Sequence, residues 1–442
     1  MQAGLSTKNA PSPKVVLPYY AYGAVAFIIA AIVLFFTADE LSFGTMGLKI
    51  YSLVHIIVLG WITMVIFGAL YQLIPVVMEV KLYSEKMAMT SFILLGLGTP
   101  LMAYSFWTSF TAGTGMMMAG GTFVVVAIIV FAINTILSAV KSEVKTTENK
   151  FIVTSVFWLM LTVLLGFLVI SFPQYLPPNV KSLHIHLGII GWFMMLVVGV
   201  ASVLMPMFFI SHQLNRAYLK ISYWVLNGGL VILLLSFFLE MDPLVTAMAS
   251  ISILAGFGLF VKYNYDAYAK RLRRKLDIGM KHSVLAFSLL FITMATGLAS
   301  AFGDLLGLSG EVMVKLNLVY ITSLFYGFLT SLILGQMYKT LPFIVWLKLY
   351  QDKVGKFKTP LPADMHNQKV ADAHYYFFVA GFITLILGEI FAMAILIKVA
   401  AVFMLITALL YGYNVLIVLV HKQKLEKLVF AKPKPRVKKT EK

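Results

Sequence analysis

The chain has 442 residues, of which 60% are hydrophobic and 12% charged, and a mean hydropathy of +0.91. That excludes a soluble domain and points to a polytopic membrane protein. It contains no cysteine, which excludes disulfides, thiolate metal sites and thioether-linked haem. Its net charge of +17 would suit nucleic acid in a soluble protein. Here the cations fall in loops and a tail, where membrane orientation and anionic lipid account for them and nucleic acid has no part.

Residues 1–16 are polar, carry Lys8 and Lys14, and lack the apolar core of a cleavable signal. They read as a short N-terminal tail. Apolar runs then follow at about residues 17–37, 48–78, 88–109, 114–140, 151–172, 182–210, 220–240, 244–264, 282–302, 312–346, 373–396 and 398–420. Each is long enough for the ~20 residues a bilayer requires. The expected fold is thus all-α and integral to the membrane, with about twelve spans in one domain over residues 17–422. A basic tail over residues 423–442 is expected to be disordered and to lie near anionic lipid.

Basic residues gather in alternate loops. Lys81 and Lys86 follow span 2, Lys141, Lys145 and Lys150 follow span 4, and Arg216 and Lys220 follow span 6. Lys262 to Lys281, with the run AKRLRRK, follows span 8, and Lys348, Lys353, Lys356 and Lys358 follow span 10. The loops after spans 3, 5, 7 and 9 hold almost none, Lys181 excepted. The positive-inside rule then puts both termini in the cytoplasm of a cell-membrane protein.

Two spans are related in detail. Leu53 to Pro75 reads LVHIIVLGWITMVIFGALYQLIP, and superposing Gly60-Trp61 on Gly191-Trp192 brings His55 onto His186, Gly68 onto Gly199 and Pro75 onto Pro206 without a gap. A fainter copy runs from Tyr320 to Pro342, with Tyr320 and Thr322 at the histidine positions. His55 and His186 are 131 residues apart, and His186 and Thr322 are 136 apart. The period marks three parallel units, about 17–109, 114–240 and 244–346, with spans 2, 6 and 10 as their key helices. Span 6 carries a second histidine, His184. Two residues along a helix is ~200° of rotation, so His184 and His186 serve two different neighbouring spaces.

With both termini inside, His55, His184 and His186 share one depth toward the outer leaflet. His212, His282, His366, His374 and His421 fall at cytoplasmic ends or loops and read as ordinary loop residues, His212 being watched because it ends span 6. An intramembrane ionisable residue is a functional candidate by default, and three imidazoles in one layer suit a haem. Zinc and copper want three or four closely converging ligands, whereas a b-type haem needs one or two axial histidines and an apolar slot, with Trp61 and Trp192 as candidate wall residues. Glu389, an acid inside span 11, is a candidate proton-relay or counter-charge site. The run Met116 to Met118 reads as apolar filling.

The pattern H-x-H-x4-G-W of span 6, followed by a glycine and a proline, resembles the tenth helix of haem-copper oxidase subunit I. The likeness is nearest to C-type cytochrome oxidases and to shorter NnrS-like membrane haem proteins. Twelve helices in three four-helix arcs is that family's layout. The resemblance implies one haem b, or two, with His55, His184 and His186 toward the iron. It also implies a diatomic gas (O2 or NO) and a redox partner or quinol as partners. The family's copper-binding histidines lie on helices 6 and 7 and its His-x-His on helix 10. Span 7 here has no histidine and span 10 has Tyr320 and Thr322, so copper and dioxygen reduction are not expected. By the family's symmetry, His55 and His184 would bracket one haem. His186 would then face Tyr320 across a second space that holds a five-coordinate haem or none. The competing readings are a twelve-span transporter, whose usual two-half repeats differ from the period here, and a haem or copper assembly factor.

Overall fold

The computed structural model describes residues 9–111, 113–272 and 275–427. Twelve helices among them are long and apolar enough to cross a membrane. They are span 1 (Pro13–Phe36), span 2 (Leu48–Val77), span 3 (Glu85–Trp107), span 4 (Thr114–Val140), span 5 (Thr147–Ser171) and span 6 (Val180–Phe209), then span 7 (Ala217–Phe238), span 8 (Pro243–Ala269), span 9 (Ile278–Ala301), span 10 (Gly310–Lys353), span 11 (Gln368–Ile390) and span 12 (Ala394–Leu419). The protein is an all-helical, multi-pass membrane protein, as its composition requires: in hydrocarbon, backbone polar groups must be satisfied within the segment. Span ends are set by ordinary caps. Ser84, Thr146, Asp242, Asp277, Ser309 and Asn367 each accept a backbone N–H of the following first turn.

Burial divides the twelve helices into two classes. The central windows of spans 2, 6 and 10 are 72, 83 and 78% buried, against 17 to 50% for the other nine. The three related helices form an inner triangle and the others surround it. Span 12 packs along span 1 and closes the ring, with Phe27 edge-on to Tyr411.

Glycine makes the inner packing possible. A Cβ on Gly60 would stand 3.2 Å from Ala26 Cβ and one on Gly68 2.6 Å from Tyr19 Cβ, both on span 1. One on Gly191 would stand 2.7 Å from Trp158 Cβ and one on Gly199 2.9 Å from Phe151 Cβ, both on span 5. On span 10, a Cβ on Gly335 would stand 2.5 Å from the Gly279 carbonyl oxygen of span 9. Each key helix therefore lies backbone-close to the helix before it, so the packing units begin at spans 1, 5 and 9. Neighbouring key helices meet through aromatic and polar side chains. Phe67 is edge-on to Trp192, Phe193 to Phe325, and the Trp61 indole donates to Thr330 Oγ1 at 3.2 Å.

Two details differ from expectation. Span 10 runs past residue 346 to Lys353, and the tail is not wholly without structure. Glu426–Lys427 pairs antiparallel with Phe357–Lys358, and Tyr350 Oη bonds His421 Nε2 at 2.9 Å. These contacts tie the start of the tail to the loop after span 10. Residues 428–442, with most of the expected basic tail, and Arg273 and Arg274 lie outside the described residues.

Candidate cofactor site

Spans 2, 6 and 10 leave α geometry at the same point of the repeat. Each carries a π-helical stretch: Ile56–Thr63, Leu187–Met194 and Ser323–Leu329. The last α residue before it is His55, His186 or Thr322. Such π segments recur at functional sites because the extra residue redirects side chains.

The two second-position histidines are held alike. His55 Nδ1 donates to the Tyr51 carbonyl at 2.7 Å and His186 Nδ1 to the Ser182 carbonyl at 2.8 Å. A ring that spends Nδ1–H on a backbone carbonyl keeps the Nε2 lone pair for a ligand. Each ring also lies against a phenylalanine of the helix that follows: His55 on Phe106 with centroids 5.2 Å apart, and His186 beside Phe237 at 5.1 Å. The first positions share a different support. A Cβ on Gly166 of span 5 would stand 2.7 Å from His184 Cε1, and one on Gly297 of span 9 would stand 2.9 Å from Tyr320 Cε2. Both rings therefore rest on a bare glycine. His184 Nδ1 faces the Thr162 carbonyl at 3.0 Å.

The spaces between units are unequal. His186 and Tyr320 line the same cavity, about 730 Å³ in volume, among spans 6 to 10. Its depth is walled by Ile190, Met194, Leu233, Phe257 and Leu324, and Asn179, Glu240, Asp304 and Asn317 are polar lining residues. The rings of His55 and His184 pack onto spans 3 and 5, and neither borders the large cavity. The volume thus falls in the space where histidine faces tyrosine.

No family model matches the sequence. A protein of Aquifex aeolicus (strain VF5), described as an uncharacterized protein, is 28% identical over 315 residues, covering 67% of this chain and 72% of its own. Among solved structures, a heme-copper terminal oxidase determined as a dimer by cryo-EM is similar with a TM-score of 0.49. Its sequence identity is 12%, over 95% of this chain and 86% of its own.

Other expected residues are placed differently. Trp61 and Trp192 are 0% and 1% exposed and do not line the cavity that His186 and Tyr320 share. Trp61 stacks on Phe27 at 4.8 Å, so both tryptophans serve the inner triangle's packing. His212 is exposed in the loop after span 6, away from the histidine layer.

Nor are His282 and His374 loop residues. They lie inside spans 9 and 11, both 0% exposed, with rings stacked at 4.9 Å and Tyr338 stacked on His374 at 5.3 Å. His282 Nδ1 bonds Ser331 Oγ at 3.2 Å. His282 Nε2 and both nitrogens of His374 have no partner among the described residues. Hydropathy windows place both residues at span edges, where a capping turn and a buried turn have the same composition.

Proposed function

We propose that the protein is a haem-binding membrane protein, that haem b sits in the cavity between spans 6 and 10 with His186 as its protein ligand, and that the protein handles a diatomic gas, O2 or NO. One observation carries this reading. A single imidazole with its Nδ1 already committed stands on the wall of a cavity of about 730 Å³, inside the ~300–1,000 Å³ range of cofactor pockets. The apolar lining suits a macrocycle, and the amides of Asn179 and Asn317 can donate to its carboxylate edge, whereas Glu240 and Asp304 would repel it.

A bound haem would supply a redox-active iron able to take up a diatomic gas. The chain's residues do the rest. Ser182 fixes the His186 tautomer, Phe237 sets the ring's tilt, and Tyr320 stands on the far wall as a hydroxyl that is a poor neutral ligand to iron. His55 and His184 are a second ligand pair, toward a second haem between spans 2 and 6. The resemblance of the span 6 motif to oxidase subunit I supports the same class of cofactor. The missing histidines on spans 7 and 10 argue against an accompanying copper.

The test is the absorption spectrum of the purified protein, oxidised and dithionite-reduced, with a pyridine haemochrome and elemental analysis. A b-type Soret band without stoichiometric copper is expected, with His186→Ala losing the share of it that belongs to the haem between spans 6 and 10. A colourless preparation from haem-sufficient cells would leave the cavity to a transported solute or a lipid and end this reading.

A further inference from the structure

The third space between units departs from the other two in both defining residues. Where spans 2 and 6 set His55 over Phe106 and His186 beside Phe237, span 10 presents Thr322. Its partner on the following helix is Glu389 instead of a phenylalanine. Thr322 Oγ1 donates to Glu389 Oε1 at 2.6 Å. The Glu389 side chain is 2% exposed, and its Oε2 has no partner among the described residues. An apolar ring–ring contact has become a matched hydroxyl–carboxyl contact at the same place in the repeat.

The two residues border a second cavity of about 40 Å³, whose walls include Leu34, Leu53 and Phe325. Among the described residues the other polar side chain on its walls is Tyr326, whose hydroxyl is buried and also lacks a partner among them. The volume decides the class of occupant. At ~10–15 Å³ per water it holds about three waters, so a macrocycle or a lipid does not fit. A metal cation would need a shell of oxygens, and three side chains supply too few.

Charge narrows the choice again. Thr322 is the only side chain bonded to Glu389 among the described residues. Nearby acids on adjoining elements are paired elsewhere, Asp39 with Lys398 at 2.9 Å and Glu40 with Lys49 at 3.6 Å. An ionised carboxylate facing one hydroxyl in an apolar wall is an uncompensated buried charge, which proteins avoid by neutralising the group. A neutral acid needs one acceptor for its own O–H, and a water in the cavity, which Tyr326 Oη also borders, supplies it.

We propose that Glu389 is a proton-binding site: a carboxyl held protonated at neutral pH, anchored by Thr322, that exchanges its proton with water in the cavity it shares with Tyr326. In each exchange the carboxyl O–H bond breaks as a water accepts the proton. It re-forms with a proton returned from the same water chain, so no charge stays behind. The site stands whether or not haem occupies the larger cavity.

Infrared spectroscopy of the full-length protein in lipid tests this. A protonated-carboxyl C=O band is expected at neutral pH that shifts when H2O is replaced by D2O, disappears in Glu389→Gln, and moves without disappearing in Thr322→Val. The Thr322→Val band shift remains readable if Glu389→Gln does not fold. A spectrum unchanged by Glu389→Gln overturns the proposal. So does a band that never shifts in D2O, or a carboxylate signal that responds to sodium or potassium.

Discussion

At the scale of single residues, the absence of a Cβ decides how closely the helices approach. A methyl at Gly191 would stand 2.7 Å from Trp158 Cβ and 2.8 Å from its Cγ, and neither atom belongs to a flexible chain end. Overpacking of this kind typically costs ~1–3 kcal/mol. Gly191→Ala should therefore lower the thermal midpoint in detergent. Gly115→Ala should not, because a methyl there meets nothing within 4 Å; equal midpoints for the two variants would show that span 6 has room against span 5. The repeated glycines were legible in the sequence because the copies align without a gap. So was the matching placement of His55 and His186, which sit at the same distance from Gly-Trp and end the α segment before it. Unreadable were the partners of those rings: Gly166, Phe106 and Phe237 lie on other helices and carry no pattern that names them. His282 and His374 were misread for the same reason, because each ring's burial comes from the other helix.

At the scale of the element, the π segments are what composition cannot show. An α and a π turn use the same apolar residues, so the repeat gives the register of spans 2, 6 and 10 but not their hydrogen bonding. A π segment carries one more residue than the α-helix it interrupts. Deleting Ile189 from Leu187–Met194 should restore α geometry and change the direction in which Val180–His186 leaves Met195–Phe209. His186 would then leave the cavity wall. The expected result is loss of the same share of haem absorption that His186→Ala removes, in a protein that still inserts and still elutes as a folded species. An unchanged spectrum would mean that the π segment does not aim His186.

At the scale of the whole molecule, twelve spans were legible because lipid imposes length and apolarity on every one of them. The three-unit period was legible because the key helices kept their motif. The grouping of helices was only half legible. The sequence sets unit boundaries near residues 109 and 240, whereas packing starts the units at spans 1, 5 and 9, since it is the preceding helix that the key glycines touch. An even number of spans puts both termini on one face, and the loops with most cations share that face. Fused to the C-terminus, a fluorescent reporter that matures only in the cytoplasm should be bright, and an alkaline phosphatase fused there should be inactive. The opposite pair of results would invert the orientation and with it the side from which the histidine layer is reached.

The inner triangle has an evolutionary consequence. Three parallel units, each pressing its second helix against its first, are the arrangement that fusing three copies of a four-helix subunit of a symmetric trimer would produce. Every cleft in that trimer would have been shared, with one side group from each of two subunits, so no subunit could have bound its ligand alone. In one chain the three clefts are free to differ: His186 and Tyr320 line a chamber of about 730 Å³, and Thr322 and Glu389 border a mostly apolar crevice of about 40 Å³.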